Sequence, residues 1–140
     1  MRVLLDTNVV LDVLLKRDPW LKEAQALWQA NDDGRLVGYI SASTLTDIFY
    51  VARKLAGLDT ARRAVRICLD AFDICPIDRS TLELAAALSG ADFEDNLQMA
   101  CAAQSVLDAI VTRDAEGFRH STVPALTPAE ALSRLGALRT

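Results

Sequence analysis

Acidic residues stand at the ends of predicted strands and near the starts of predicted helices along this chain. Asp6 ends the apolar run 3–5, and Asp114 follows a second apolar run further along. Asp47 lies in the helix predicted after the second strand, and Asp95 lies near the start of a helix that leads back into the sheet. Parallel strands bring their carboxyl ends to one edge of a sheet, so we expect these carboxylates to meet there.

Carboxylates brought together in this way favour a divalent metal site. Close anions repel each other strongly at low dielectric, and a divalent cation relieves that repulsion. Mg²⁺ and Mn²⁺ prefer oxygen ligands, and Mg²⁺ is commonly held by a few carboxylates together with substrate phosphate. One or two such ions would serve phosphodiester hydrolysis by activating water and stabilising the departing oxygen.

Each acid also has a purely structural interpretation. Asp47 follows Thr44 by three residues, as in a capping box, and Asp95 follows Asp92 by the same interval. The helix dipole favours acids in first helical turns whatever their function. Asp6 is harder to explain in this way, because a carboxylate beside a buried strand destabilises the fold unless it finds partners. The spacing is therefore consistent with a metal site and with helix capping alike.

The elements that position these acids alternate between strands and helices. Strands are predicted at 3–5, 36–40, 73–77, 109–112 and 121–125, and helices at 8–16, 18–32, 44–57, 59–72, 79–89, 92–104 and from 128 onward. In the second helix Asp18 is the expected cap and Pro19 the first helical residue. This alternation predicts a doubly wound α/β fold, with a parallel sheet of about five strands and helices on both faces, in a single domain over residues 1–140.

The composition describes an ordinary globular domain with no sign of export or membrane insertion. Apolar residues make up 51% of the chain and charged residues 24%, which excludes a disordered or fibrous class. The three cysteines form no Cys-x-x-Cys pair and lie in apolar surroundings, which predicts buried reduced thiols. Asp6 and Asp12 interrupt the apolar region that a signal peptide would need, and no apolar run is long enough for a transmembrane helix. We expect a cytoplasmic protein.

Charge is distributed unevenly along the chain. A net charge of −4 argues mildly against a protein that mainly coats nucleic acid. Acids dominate between Asp92 and Glu116, whereas an earlier basic stretch contains Arg53, Lys54, Arg62, Arg63 and Arg66. An acidic centre beside a basic surface suits a metal site flanked by a phosphate-binding surface, although solvated helix faces give the same pattern.

Four segments resemble motifs of the PIN-domain family of metal-dependent ribonucleases, which includes the VapC-type toxins of bacterial toxin–antitoxin pairs. The segments are 5–12 (Leu-Asp-Thr-Asn-Val-Val-Leu-Asp), 44–48 (Thr-Leu-Thr-Asp-Ile), 92–98 (Asp-Phe-Glu-Asp-Asn-Leu-Gln) and 109–114 (Ala-Ile-Val-Thr-Arg-Asp). Together they span nearly the whole chain, in the order and approximate spacing of the family. The first and third are fairly specific, and the second and fourth are weaker.

The resemblance implies a role for each of the four acids. Asp6, Asp95 and Asp114 resemble the metal-binding acids of the family, with Mg²⁺ or Mn²⁺ as the implied cofactor. Asp47 stands where the family usually has the longer Glu. Its shorter side chain leaves open whether it reaches a metal ion directly or through water.

Neighbouring positions show further similarities and one further departure. Asn8 and Thr112 resemble residues that orient carboxylates or water, and Asp12 either does the same or is an exposed helix acid. Relatives often place an Asp before the Phe of the fourth motif, whereas this chain has Gly117. Either Glu116 substitutes for that Asp, or the site holds one ion firmly and a second only with substrate.

The function implied by the resemblance is that of a metal-dependent endoribonuclease, the toxin of a type II toxin–antitoxin pair. Its partners would be an RNA substrate, an antitoxin protein and a second copy of the chain in a homodimer. Arg53, Lys54, Arg62 and Arg66 are candidates for contact with RNA phosphates or with the antitoxin. The alternative is a PIN-like module with a weakened or absent catalytic site, which binds protein or RNA without cutting it.

Overall fold

A computed structural model describes residues 1–138, which form a five-stranded sheet with helices on both faces. The strands are β1 (Arg2–Leu5), β2 (Val37–Ser41), β3 (Asp73–Cys75), β4 (Ala109–Val111) and β5 (Ala125–Leu126). Their order in the sheet is β3-β2-β1-β4-β5, and all neighbouring strands run parallel. The predicted doubly wound α/β fold is confirmed.

Helices connect the strands in the described part of the chain. They are α1 (Thr7–Leu14) and α2 (Leu21–Asp32) between β1 and β2, α3 (Ala42–Ala56) and α4 (Leu58–Ala71) between β2 and β3, and α5 (Arg79–Ala87) and α6 (Phe93–Gln104) between β3 and β4. A short 3-10 turn (Ala115–Phe118) separates β4 from β5, and α7 (Pro128–Leu138) follows β5.

The apolar run in β1 fits its position at the centre of the sheet. Val3 and Leu5 pack into the larger core with α1, α2, α3, α4 and α7, whereas Leu4 packs on the opposite face with residues of α6. Successive residues of a strand point to opposite faces, so a central strand needs apolar side chains at every position. A continuous apolar run is therefore what this strand requires.

The strand order reverses at β1, and the predicted site lies at that reversal. The chain moves outward from β1 through β2 to β3, then returns to place β4 on the other side of β1. Leu5 pairs with Val111, and the Asp6 backbone N–H donates to the Val111 carbonyl at 2.9 Å. In open α/β sheets the crevice at such a reversal is where ligands bind.

Two predicted elements begin too early, and the remaining boundaries differ from the prediction by at most about two residues. The second helix begins at Leu21 with Trp20 at its N-cap, because residues 18–20 form a turn, so Asp18 does not cap the helix. The last strand covers Ala125–Leu126 rather than 121–125. Pro76 directly follows the edge strand β3, a position where the missing backbone N–H of proline is tolerated.

The three cysteines are buried and free, as expected. Burial raises the pKa of the Cys68 and Cys101 thiols to about 12, which keeps them protonated and unreactive at neutral pH. Within residues 1–138, no helix combines the length and the apolar composition needed to cross a bilayer.

Candidate metal centre

An acidic cleft of about 470 Å³ opens where the carboxyl ends of β1 and β4 meet. Asp6, Asp47, Asp95 and Asp114 all line it, so the structure brings together the four acids that the sequence places near one edge of the sheet. Asn8 and Tyr50 contribute polar and aromatic surface to the same walls. Further acids in the lining are Asp92 and Glu94.

Asp6 stands directly after β1, and hydrogen bonds to two neighbours fix its carboxylate. Asp6 is 9% exposed. Its Oδ1 accepts from Gln98 Nε2 at 3.0 Å, and its Oδ2 accepts from Thr112 Oγ1 at 2.9 Å. These two bonds offset the loss of hydration that burial imposes on a carboxylate. Each carboxylate oxygen retains a lone pair for a further partner.

Thr112 couples Asp6 to Asp114. Its hydroxyl donates to Asp6 and accepts from the backbone N–H of Asp114 at 3.0 Å. A hydroxyl has one donor and two acceptor sites, so both bonds can form at once. Because Thr112 is fully buried, this hydroxyl links the ends of two strands in a fixed geometry.

Asp95 lies in the first turn of α6, close enough to other acids for its ionisation to change. The Oδ1 of Asp92, the N-cap residue, accepts from the Asp95 backbone N–H at 3.1 Å. Burial, followed by the negative charges of Asp92, Asp6 and Asp114, raises the pKa of the Asp95 carboxyl to about 6. The capping interpretation of the Asp92–Asp95 spacing is thus confirmed, and the same turn carries Asp95 to the cleft.

Asp95 and Asp114 face one point beside Gly117. A Cβ atom added to Gly117 would lie 2.9 Å from Asp95 Oδ2 and 3.2 Å from Asp114 Oδ2. The Gly117 backbone N–H also donates to Asp114 Oδ1 at 3.4 Å. Because Gly117 has no side chain, both carboxylates have room beside it. Gly117 thus shapes the cleft but cannot provide a side-chain ligand.

Asp47 lies in the second turn of α3, so the capping-box interpretation of this residue is wrong. The helix begins at Ala42, and its N-cap Ser41 accepts from the Thr44 backbone N–H at 3.3 Å. The Asp47 carboxyl instead shares a hydrogen bond with Glu94. That bond, with burial and the charge of Asp47, raises the pKa of Glu94 to about 8. Glu94 is therefore mostly protonated at neutral pH.

Gln98 and Glu94 are cleft residues that the sequence analysis missed. Gln98 is almost fully buried, and its Oε1 has no hydrogen-bond partner in the described part of the chain. It follows Asp95 by three residues, so both side chains lie on the same face of α6. That spacing is the one signal by which Gln98 could have been found. For Glu94 the sequence offered only its place in an acidic stretch.

Asn8 and Asp12 occupy different surroundings. Asn8 lines the cleft, and its backbone and side-chain oxygens both accept from Arg17 Nη2 at 3.3 Å. Asp12 does not line the cleft, and at 1% exposure it is not an exposed helix acid, so that alternative is wrong. Its carboxylate lies between the guanidinium groups of Arg17 and Arg113, with N–O distances of 2.9 and 3.0 Å.

The basic residues of α3 and α4 lie outside the cleft. Arg53, Lys54, Arg62 and Arg66 are exposed, and none of them belongs to its lining. Arg66 pairs with Asp70 one helical turn away, at 2.9 Å. Contacts of these residues with RNA or with a partner remain predictions.

The chemistry of the cleft fits a hard divalent cation. Its side chains present carboxylate and amide oxygens, the raised pKa of Asp95 reflects burial beside other negative charges, and Gln98 Oε1 has no hydrogen-bond partner within residues 1–138. As they stand, no three acidic, histidine or cysteine side chains within residues 1–138 converge closely enough to hold an ion. The carboxylates would therefore have to turn inward when an ion binds.

Comparison with known proteins relates the chain to one family. A family model described as the PIN domain matches residues 2–116. No curated protein matches the sequence closely enough to count as a relative.

Several solved structures share the fold. A DNA-bound VapBC from Salmonella typhimurium has a TM-score of 0.73 and 17% identity, covering 91% of this chain and 98% of that one. A toxin–antitoxin complex from Klebsiella pneumoniae has a TM-score of 0.67 and 24% identity, covering 90% and 97%. VapC20 from Mycobacterium tuberculosis, described as a toxin that cleaves the sarcin-ricin loop, has a TM-score of 0.63 and 15% identity, covering 77% and 86%. At these identities the likeness establishes the fold.

Proposed function

Because the chain belongs to the PIN-domain family, we propose that it is a metal-dependent endoribonuclease and the toxin of a type II toxin–antitoxin pair. The observation that carries the proposal is the meeting of Asp6, Asp95 and Asp114 in one cleft at the reversal of the strand order. VapC20, whose fold the chain shares, is described as cleaving the sarcin-ricin loop, which supports nuclease activity at a cleft of this kind.

Asp6, Asp95 and Asp114 are the residues that would hold Mg²⁺ or Mn²⁺. When bound, the cation would neutralise phosphate charge and make a water molecule acidic enough to act as nucleophile. Asp6 needs the least rearrangement, because Gln98 and Thr112 already fix both of its oxygens. Asp95, with a pKa of about 6, is mostly ionised at neutral pH and can turn toward the position beside Gly117.

Asp47 has an assisting role at the wall of the cleft opposite β4. Its hydrogen bond with Glu94 holds the short carboxyl in place, and Glu94, with a pKa of about 8, carries a proton at neutral pH. That proton has to leave before both groups can face a cation as anions. Asp47 would therefore assist the acids that hold the metal ion, and Glu94 is the longer acid that would compensate for its reach.

RNA is the proposed substrate, and α3 offers a path for it. Tyr50 lines the cleft and is 59% exposed, so its ring is free to stack on a base. Arg53 and Lys54 follow Tyr50 by three and four residues, which places them on the same side of the helix. A strand leaving the cleft over Tyr50 would meet these two cations, which would hold its phosphates.

The proposed protein partners are an antitoxin and a second copy of the chain. The Salmonella and Klebsiella structures that share the fold are toxin–antitoxin complexes. Exposed apolar side chains on α3 and α4, among them Leu55 at 65% and Ile67 at 46%, provide surface of the kind that protein interfaces bury. Light scattering on the purified protein would measure whether it is a dimer in the absence of antitoxin.

Cleavage of a mixed set of labelled RNAs by the purified protein tests the proposal. Reactions with Mn²⁺, with Mg²⁺ and with a chelator would be compared for the wild type, Asp6→Asn and a control, Asp33→Asn. Asp33 is exposed at the end of α2 and pairs with Arg35, so its loss removes an equivalent charge far from the cleft. We expect metal-dependent cutting that only Asp6→Asn abolishes. Cutting by folded Asp6→Asn with the same metal dependence would refute the assignment.

A binding-only module is the second candidate function. Two observations favour it: the acids do not converge into a ligand set as they stand, and Asp47 is bonded to Glu94. Calorimetric titration with Mn²⁺ separates the two functions. A binding heat that Asp6→Asn removes supports the nuclease, whereas the absence of any heat, together with RNA binding and no cleavage, supports the module.

A further inference from the structure

Asp12 is a buried charge that the proposed chemistry does not use. It lies on α1, 1% exposed, with Oδ1 2.9 Å from Arg17 Nε and Oδ2 3.0 Å from Arg113 Nε. The contact with Arg17 is a hydrogen bond, whereas that with Arg113 is an ion pair without hydrogen-bond alignment. A carboxylate buried without a cation would strongly destabilise the fold, so the position of each guanidinium group depends on Asp12.

Arg113 is held from a second direction by Trp20. The Cζ atom of Arg113 lies 3.7 Å from the centroid of the Trp20 ring, which is the geometry of a cation–π contact. Trp20 is 42% exposed, so its ring covers the guanidinium group from the solvent side. The Arg113 side chain is thus fixed between a buried carboxylate and an aromatic face.

The place of Arg113 in the chain connects this cluster to the cleft. Arg113 is the single residue between Thr112, whose hydroxyl bonds to Asp6, and Asp114, which lines the cleft. Asp114 is exposed, and within residues 1–138 its Oδ1 accepts only a long bond, of 3.4 Å, from the Gly117 backbone N–H. The direction of the Asp114 side chain therefore depends on the backbone of the turn, and anchoring Arg113 anchors that backbone.

Arg17 gives the same carboxylate a second connection to the cleft. While its Nε donates to Asp12, its Nη2 donates to both oxygens of Asn8. The Asp12 carboxylate is thus connected to two segments of the cleft wall. Arg17 links it to the segment after β1, and Arg113 links it to the segment after β4.

We propose that Asp12 is a positioning residue of the acidic cleft, which fixes through Arg113 the turn that presents Asp114 and through Arg17 the segment that presents Asn8. This inference rests on the proposed function in one respect, namely that Asp114 is a metal ligand. The geometry of the turn can be measured without metal or RNA, so the two proposals can fail separately.

Hydrogen exchange of the metal-free protein is the first test. The Asp114 backbone N–H bonds to Thr112 Oγ1, and that of Gly117 bonds to Asp114, so both amides report on the turn. We expect Asp12→Asn to speed their exchange by about tenfold relative to the wild type, while Asp33→Asn leaves it unchanged. Unchanged exchange at both amides in folded Asp12→Asn would overturn the proposal, whatever the protein does with RNA.

A double-mutant cycle in Mn²⁺ binding is the second test. Asp12→Asn and Arg113→Gln should each weaken Mn²⁺ binding by about tenfold, and the double variant should lose little more, because Asp12 acts on the Asp114 turn through Arg113. Independent losses that multiply in the double variant would overturn the proposal, and so would Mn²⁺ affinity at the wild-type level in Asp12→Asn with only a lower melting temperature. If the wild type binds no Mn²⁺, the exchange measurement decides alone.

Trp20→Leu keeps the proposal testable if Asp12→Asn does not fold. The Trp20 side chain is partly exposed, so its loss leaves the core intact and frees one face of Arg113. We expect faster exchange at the Asp114 and Gly117 amides in this variant, about threefold, in the same direction as for Asp12→Asn. Wild-type exchange at both amides in Trp20→Leu, with Asp12→Asn unfolded, would count against the anchoring of the turn.

Discussion

The Gln98 side-chain amide donates to the Asp6 carboxylate across 92 residues of sequence, at 3.0 Å. This bond joins α6 to the end of β1, so the helix that carries Asp95 also orients the acid on the central strand. Gln98 thereby determines where one oxygen of Asp6 points.

Replacing Gln98 by Ala should lower RNA cleavage about 10- to 100-fold and weaken Mn²⁺ binding, because the Asp6 carboxylate loses one of its two orienting bonds. Gln104→Ala is the matched control on the same helix, since Gln104 bonds to Ser80 and Thr81 on α5. Cleavage rates per folded molecule and Mn²⁺ titrations of both variants would measure the effect. Equal activity in the two variants would show that the Gln98 bond is irrelevant to the site.

Gly117→Ala should disrupt the cleft without unfolding the protein. The added Cβ would approach Asp95 Oδ2 and Asp114 Oδ2, which are the ends of short side chains and can turn away. We expect a loss of cleavage approaching 100-fold, because carboxylates displaced by about 1 Å could not turn inward together around an ion. Gly136→Ala in α7 is the control: nothing lies within 4 Å of its added Cβ, and it should leave cleavage at the wild-type level. Full activity in Gly117→Ala would contradict the shared position of the two acids.

Glu94 and Asp95 should make the metal-free protein less stable as pH rises. Their pKa values, about 8 and about 6, lie above the value of about 4 for an unfolded chain. Between these values the folded state binds more protons than the unfolded state. The contribution of the two groups to the free energy of unfolding is therefore fully present below about pH 4 and is lost as pH rises through 6 and then 8.

Melting temperatures measured from pH 5 to pH 9 in chelator test this pH dependence. Glu94→Gln should flatten the decline between pH 6 and 8, whereas Glu83→Gln, which removes an exposed partner of Arg79, should not. Saturating Mn²⁺ should oppose the decline, because a cation favours the ionised acids. A melting temperature of Glu94→Gln that falls as steeply as that of the wild type would contradict the Asp47–Glu94 bond.

Asn31 should matter for stability and not for cleavage. Its Nδ2 donates to the Ala71 carbonyl at 2.7 Å, and its Oδ1 accepts from the Gly38 backbone N–H at 2.8 Å, so it joins α2, α4 and β2. Asn31→Ala should lower the free energy of unfolding by about 1–3 kcal/mol, because two partly buried backbone groups lose their partner. Urea unfolding would measure the loss, with Gln25→Ala on the exposed side of α2 as control. A change in cleavage by the folded Asn31 variant would contradict its separation from the cleft.

The sequence predicts best what depends on neighbouring residues. The apolar run 3–5 indicates a central strand because burial on both faces requires it, and the position of Asp6 follows from that strand. The cap at Asp92 and the termination of α3 at Gly57 are equally local. The family motifs add the order in which the acids occur along the chain.

Contacts between distant segments are what the sequence could not supply. The Asp6–Gln98 bond and the pairing of Asp47 with Glu94 depend on how α6 lies against β1 and α3. Asp18 followed by proline is a strong helix-start signal, yet the helix begins at Leu21. The residue before it, Trp20, stacks on Arg113, which is distant in sequence. Such tertiary contacts outweigh local helix-start preferences, and the periodicity of apolar residues along the sequence does not predict them.

The hydrogen bond between Thr112 and Asp6, across 106 residues, has a consequence for the order in which a ribosome makes the molecule. Asp6 and β1 are synthesised before Thr112, Asp114 and β4, which emerge only after the helices α1 to α6. A nascent chain that has not yet released β4 carries the acids of α3 and α6 without the hydroxyl that aligns Asp6. The cutting activity proposed for this protein would therefore stay latent until β4 has left the ribosome, which gives a partner time to be present first.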